Sequence, residues 1–174
     1  MRFENQGARG VHPSHDPSCQ RLAATSGGLG NELRSDDGVG LHVVRQLSAA
    51  ELLPSQTNLQ VVEVGTAVLD ATHLWEWADR ILVLDAMHGE GAPGSVYITH
   101  LDNVEPGQAR HGLHGLHLSD ALSLCVDRRW EDVLLMGIEP LCLDLGTKLS
   151  PAVEAAVPEA ARLVSELVEA WLGR

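Results

Sequence analysis

The segment ILVLD, from Ile81 to Asp85, places four consecutive apolar residues directly before an aspartate. A short apolar run of this kind is typical of a β-strand that is buried on both faces, as in a parallel sheet covered by helices. An unpaired carboxylate would be costly to bury inside such a strand. We therefore expect Asp85 at the strand end, in contact with water, a cation or hydrogen-bond donors, although a structural salt bridge or loop cap would also satisfy it.

On both sides of this segment the chain alternates between strand and amphipathic-helix patterns. Such alternation predicts an α/β layered domain with a largely parallel sheet. Predicted strands cover Leu22–Ser26, Leu59–Val64, Ile81–Leu84, Ser95–His100 and Asp132–Ile138, and predicted helices cover Asp37–Ala50, Ala67–Ala78, Leu116–Arg129 and Ser150–Leu172.

The length of 174 residues suits one domain. Residues 1–20 are polar, and we interpret them as a disordered extension that precedes a domain over residues 21–174. The formal net charge is −12 and Lys148 is the only lysine, which disfavours nucleic acid and anionic membranes as partners. Three cysteines without a CxxC spacing indicate a reducing compartment. With no transmembrane-length apolar run, we expect a cytoplasmic protein without membrane insertion.

The stretch GLGNELRSDDGVG, from Gly28 to Gly40, follows the first predicted strand and carries the doublet Asp36 and Asp37. In α/β sheets, ligands bind beyond the carboxyl ends of the strands, so this doublet and Asp85 should face one crevice. Capping of the following helix is the simpler explanation of an aspartate at this place. Capping needs only one carboxylate, however, and its neighbour would then point into the crevice.

Histidines recur with a spacing of three in HGLHGLH, at His111, His114 and His117. The intervening glycines disfavour a helix there, so partly exposed loop histidines are the simpler interpretation. Together with the aspartates, these imidazoles offer the mixed ligands of a hard-to-borderline divalent metal site. His88 is a weaker candidate in the same region.

Other chemistries have less support from the sequence. Gly28 and Gly30 give only half of a dinucleotide fingerprint, and no P-loop lysine follows them. No GxSxG occurs and no cysteine has a nucleophile-like setting.

Six motifs in order resemble the maturation endopeptidases of nickel–iron hydrogenases, over about Leu22 to Leu172. They are GLGNELRSDDGVG (Gly28–Gly40), EVGTAVLD (Glu63–Asp70), ILVLDAMHGEGAPG (Ile81–Gly94), HGLHLSDAL (His114–Leu122), LLMGIEP (Leu134–Pro140) and LSPAVEAAVP (Leu149–Pro158). The resemblance implies a single three-layer domain, with a twisted sheet sandwiched between helices. It also implies removal of a short C-terminal peptide from the hydrogenase large-subunit precursor after nickel insertion.

The same resemblance implies that Asp37, Asp85 and His114 contact the metal, with nickel carried by the precursor. The pattern HxLxLxD selects His114 over His111 and His117. Two ways of activating the attacking water remain open. The metal could lower the pKa of a bound water, or a carboxylate, Asp36 or Asp37, could act as general base. We therefore take Asp36, Asp37 and Asp85 as catalytic candidates.

Two alternatives remain at this point. A non-cleaving, metal-dependent assembly chaperone would use the same residues. The GLGN segment also resembles the opening of peptidyl-tRNA hydrolases, but no histidine follows it before His42, and the acidic charge opposes tRNA binding.

Overall fold

The computed structural model describes residues 24–53, 59–103 and 133–172. Within these ranges the centre of the molecule is a five-stranded sheet in the order β2-β1-β3-β5-β4. The strands are β1 (Ala24–Leu29), β2 (Leu59–Gly65), β3 (Arg80–Ala86), β4 (Val96–His100) and β5 (Val133–Ile138). Neighbouring strands are parallel except β4, which is antiparallel to β5. The predicted largely parallel sheet is confirmed.

Helices cover both faces of the sheet, which confirms the three-layer α/β arrangement. Helices α1 (Val39–Ala49) and α3 (Pro151–Trp171) pack with the even-numbered side chains of β3 on one face. Helix α2 (Thr72–Trp77) packs through the fully buried Trp75 with the odd-numbered side chains on the other. None of the described helices is long and apolar enough to cross a membrane.

Two boundaries differ from the sequence prediction at the segment that leads into α1. Strand β1 ends at Leu29, three residues beyond the predicted end at Ser26. The helix starts at Val39, after a 3-10 turn over Ser35–Gly38 that holds the aspartate doublet. Apolar periodicity could not locate these ends, because glycines occupy the end of the strand and tertiary contacts determine the turn.

Some predictions fall outside the described residues. These are the N-terminal extension 1–20, the predicted helix 116–129, and the three histidines His111, His114 and His117.

Candidate active site

The turn that carries Asp36 and Asp37 packs against the carboxyl end of β3. Its approach depends on small residues at the contact. A side chain on Gly40 would collide with the carbonyl oxygens of Leu29 and Leu84, which end β1 and nearly end β3. The start of α1 therefore lies directly on the carboxyl edge of the two central strands, where α/β folds place their ligands.

Gly28 and Gly30 make the matching contacts from the strand side. A Cβ on Gly28 would lie 2.5 Å from the carbonyl oxygen of Gly40. Gly30 has a φ of +125°, a conformation that is strained for any residue with a Cβ atom. A Cβ at this position would also collide with the carbonyl oxygen of Asp37. The glycines of the GLGN segment thus allow the aspartate turn to pack closely against β1. This packing accounts for both glycines without a nucleotide-binding role.

Asp36 is fully buried and binds a distant loop. Its Oδ2 accepts hydrogen bonds from the backbone N–H groups of Leu141 at 2.9 Å and Cys142 at 3.0 Å, and its Oδ1 accepts one from Ser150 at 2.6 Å. The backbone N–H of Asp36 also donates to the Cys142 carbonyl. Asp36 therefore anchors the segment between β5 and α3 to the aspartate turn.

Asp37 is only 2% exposed, and its Oδ2 accepts a hydrogen bond from the backbone N–H of Asn31 at 3.1 Å. The N-cap residues of the 3-10 turn and of α1 are Arg34 and Gly38, and neither makes a side-chain capping hydrogen bond. The carboxylate of Asp36 binds the far loop, whereas capping by Asp37, the simpler explanation from the sequence, stays a prediction. The two neighbours face different partners, one the far loop and the other the glycine-rich segment.

Asp85 is the penultimate residue of β3 and is 5% exposed. Its Oδ1 accepts a hydrogen bond from the backbone N–H of Ala86 at 2.8 Å. It pairs in register with Gly137 of β5. By strand alternation, its side chain shares a face with Ile81 and Val83. The expectation that Asp85 ends a buried strand and accepts hydrogen bonds is confirmed.

Sequence reasoning missed Glu139, a further buried carboxylate at this edge. Glu139 directly follows β5, and like Asp85 it comes after an apolar run, so the same sequence pattern could have found it. Its Oε1 lies 3.0 Å from His88 Nδ1, and its Oε2 accepts hydrogen bonds from Gly89 N–H at 2.6 Å and Tyr97 O–H at 2.9 Å. Glu139 thus holds the loop that follows β3.

These contacts determine which protonation states the buried groups prefer. Burial by itself would raise the pKa of Glu139, but hydrogen bonds from Gly89, His88, Tyr97 and Gly91 outweigh it and bring that pKa below its ordinary value. Burial, together with the neighbouring Glu139 carboxylate, raises the pKa of Tyr97. The pair therefore prefers an ionised Glu139 and a neutral, donating Tyr97.

The structure brings Asp37 and Asp85 to one edge of the sheet, with Asp36 behind them as an anchor. His114, the third predicted metal contact, lies outside the described residues. Within the described ranges, no group of three or more His, Cys, Asp or Glu side chains is arranged to hold a metal ion. The described part of the candidate site therefore consists of the buried carboxylates of Asp37 and Asp85.

A family model described as hydrogenase maturation protease matches residues 41–167. The chain belongs to this family. The chain is 28% identical over 149 residues to the hydrogenase expression/formation protein HupD of Bradyrhizobium diazoefficiens, covering 83% of this chain and 77% of that one.

Solved structures agree with this assignment. The [NiFe] hydrogenase maturation protease HybD from Thermococcus kodakarensis is 27% identical with a TM-score of 0.63, over 84% of this chain and 99% of that one. The hydrogenase maturating endopeptidase HybD from E. coli shares the fold at 24% identity and a TM-score of 0.71, over 86% and 94%. The chain is accordingly a peptidase.

Proposed function

We propose that this protein removes a short C-terminal peptide from the precursor of a nickel–iron hydrogenase large subunit after nickel insertion. Asp37, Asp85 and His114 recognise the nickel, which arrives as part of the substrate. The observation that carries the proposal is the meeting of two almost fully buried aspartates at the carboxyl edge of the sheet, in a chain of this family. Carboxylates held in this way keep their position when a metal-bearing substrate docks.

Asp37 and Asp85 offer oxygen ligands from two different elements, and His114 adds an imidazole nitrogen. Mixed oxygen and nitrogen ligands suit a borderline divalent metal such as nickel. Three residues do not fill the coordination sphere of nickel, and the precursor supplies the remaining ligands. Only a precursor that already holds nickel can therefore complete this coordination sphere. Recognition of the metal then serves as a checkpoint, in which a precursor without nickel is not cut.

Hydrolysis needs a group that takes a proton from the attacking water. Asp36 is poorly suited to that role, because its two oxygens already accept three backbone hydrogen bonds. We therefore propose Asp37 as the base and Asp36 as the residue that holds the turn in place. Nickel in the substrate, placed near the scissile carbonyl, would polarise it.

The decisive experiment mixes the purified protein with a large-subunit precursor and follows the precursor mass by mass spectrometry. We expect loss of one defined C-terminal peptide from the nickel-loaded precursor and no change in the nickel-free precursor. Binding without any change of mass would instead favour the assembly chaperone. No binding at all would contradict the choice of substrate.

Replacing Asp37 by Asn tests the site itself. D37N keeps the size of the side chain but removes its charge and basicity, so we expect processing to fall by at least about 100-fold, the lower range for loss of a general base. The matched control is D79N, because Asp79 is exposed and precedes β3 at the opposite edge of the sheet. Normal processing by D37N, with an unchanged circular dichroism spectrum, would remove Asp37 from the mechanism.

A further inference from the structure

The three most exposed large apolar residues of the described part of the chain lie on two neighbouring segments. Leu33, which is 63% exposed, lies in the turn that leads to the aspartate doublet. Leu141 and Leu145, which are 62% and 89% exposed, lie in the loop between β5 and α3. Single exposed leucines are ordinary on a protein surface, whereas a concentration of them marks a surface that a partner covers.

Leu33 and Leu145 lie side by side. A parallel β-bridge pairs Arg34 with Gly146. Around it, the Gly146 N–H donates to the Leu33 carbonyl at 3.0 Å and the Ser35 N–H donates to the Gly146 carbonyl at 2.9 Å. One residue before the bridge, the same register places Leu33 opposite Leu145, and opposite residues of paired parallel strands point to the same face. The two side chains therefore form one apolar patch, the leucine pair.

The backbone that carries the leucine pair is held in place. Nε and Nη2 of Arg34 both donate to the Leu143 carbonyl at 3.1 Å, and the Asp36 carboxylate accepts a hydrogen bond from the Leu141 N–H at 2.9 Å. These bonds join the turn to the loop after β5. A partner that covers the leucine pair consequently meets a backbone that is already ordered, which reduces the entropic cost of binding.

The leucine pair is also close to the candidate catalytic carboxylates. Leu33 precedes Asp37 by four residues, so their Cα atoms are at most about 15 Å apart. The turn between them is compact, because the Asp37 N–H donates to the Arg34 carbonyl at 3.1 Å. An extended peptide covers about 15 Å with four or five residues. A polypeptide whose scissile bond lies at Asp37 therefore reaches the leucine pair with residues close to that bond.

We propose that the leucine pair, Leu33 and Leu145, is the docking surface for an apolar side chain of the hydrogenase large-subunit precursor, within about five residues of the scissile bond. A peptidase binds a polypeptide along its active-site edge, and this patch continues that edge on the loops that hold Asp36. The inference rests on the proposed function, since it assigns a contact to the same substrate. Removal of apolar surface from water provides the binding free energy, and the leucines take no part in hydrolysis.

The first test replaces both leucines by serine and measures steady-state processing of the nickel-loaded precursor. Burial of one leucine side chain is worth about tenfold or more in an equilibrium constant. We expect L33S/L145S to raise KM by at least about tenfold with kcat within about twofold, the pattern of a contact made equally in the ground and transition states. L33M/L145M keeps the apolar volume and should stay close to the parent KM.

The matched control is L52S, the same substitution at another exposed leucine. Leu52 follows the end of α1, whereas the start of this helix lies at the carboxyl edge, and the helix of 11 residues spans roughly 16 Å. L52S should therefore leave KM and kcat unchanged. A rise in KM in L52S equal to that in L33S/L145S would mean that loss of exposed apolar surface in general weakens binding, and would overturn the assignment.

Other roles of the leucine pair predict different results. If a second copy of this chain covers the pair, L33S/L145S lowers the molar mass measured by light scattering and leaves KM unchanged. If another part of the same chain covers it, the double variant loses stability in urea at the parent KM. If the pair supports the aspartate turn, kcat falls and KM stays the same. Each of these results would overturn the docking role.

The same measurements separate this inference from the proposed function. Failure of the unmodified protein both to bind and to cleave the nickel-loaded precursor would overturn the proposed function and this inference with it. Cleavage by L33S/L145S with the KM of the parent would overturn the inference alone.

Discussion

Asp36 and Asp37 are adjacent in the chain, but their carboxylates meet different surroundings. Asp36 accepts three backbone N–H groups from residues more than 100 positions away, and Asp37 accepts one from the nearby Asn31. The sequence predicted that one member of the doublet would face the crevice and identified the pair as important. It could not tell the two apart, because the partners of Asp36 approach only in the folded chain.

Replacing Asp36 by Asn should destabilise the fold. The amide offers one acceptor oxygen where the carboxylate offers two, and its N–H₂ group would face backbone donors of Leu141 and Cys142 or of Ser150. A buried donor left without an acceptor costs about 1–3 kcal/mol, so we expect the free energy of unfolding of D36N to fall by that amount. Urea denaturation followed by circular dichroism measures it, with the exposed D79N as control. A D36N variant as stable as the parent would contradict the anchoring role.

At the scale of elements, helix α1 depends on its close approach to the sheet. Gly40 leaves no space for a methyl group between the helix and the carbonyl oxygens of Leu29 and Leu84. The atoms that an added methyl group would meet belong to the backbone, which cannot move away as a flexible side chain could. The position of Asp37, three residues before Gly40, is therefore tied to the packing of the whole helix on the ends of β1 and β3.

We expect G40A to show this coupling. Alanine is the better helix former by about 1 kcal/mol, so a glycine-to-alanine change at a solvent-exposed helix position stabilises a protein. Here the added methyl group should instead displace α1 and cost about 1–3 kcal/mol, the usual effect of overpacking. The free energy of unfolding of G40A, measured in urea, should therefore decrease, and processing should weaken with it. An increase in stability would mean that α1 is not in contact with the strand ends.

The strands were the part of the fold most accessible from sequence. The apolar runs in β3 and β5 located both strands to within one or two residues, since strands buried on both faces leave a continuous apolar signal. The start of α1 was harder, because the 3-10 turn before it is maintained by contacts to the loop after β5. The position of Glu139 after an apolar run could have indicated it, but its role could not be predicted, because its four partners lie 42 to 51 positions earlier in the chain.

At the scale of the whole molecule, the acidic composition and the buried Glu139 carboxylate act in opposite directions on acidification. The net charge of −12 at neutral pH approaches zero near the isoelectric point of about 5.0, which relieves repulsion in the compact state. A carboxyl group with a lowered pKa in the folded protein binds a proton more readily in the unfolded chain. Acidification therefore favours unfolding at such a group. The surface pair of Glu32 with Arg45 contributes in the same sense but weakly, since both side chains are more than 40% exposed.

Glu139 should contribute to the loss of stability at acid pH. Its pKa in the folded protein is below its ordinary value, so its contribution is fully present above the unfolded-state pKa and is lost as pH falls through the folded-state pKa. The free energy of unfolding of the parent should therefore decrease as the pH falls below the ordinary pKa range of a glutamate. In E139Q an amide N–H₂ would face hydrogen-bond donors, so we expect lower stability at neutral pH. This variant has no carboxylate to protonate at position 139 and should lose less stability as the pH falls. Urea titrations of both proteins at each pH measure the difference, and parallel curves would mean that Glu139 titrates alike in the folded and unfolded chains.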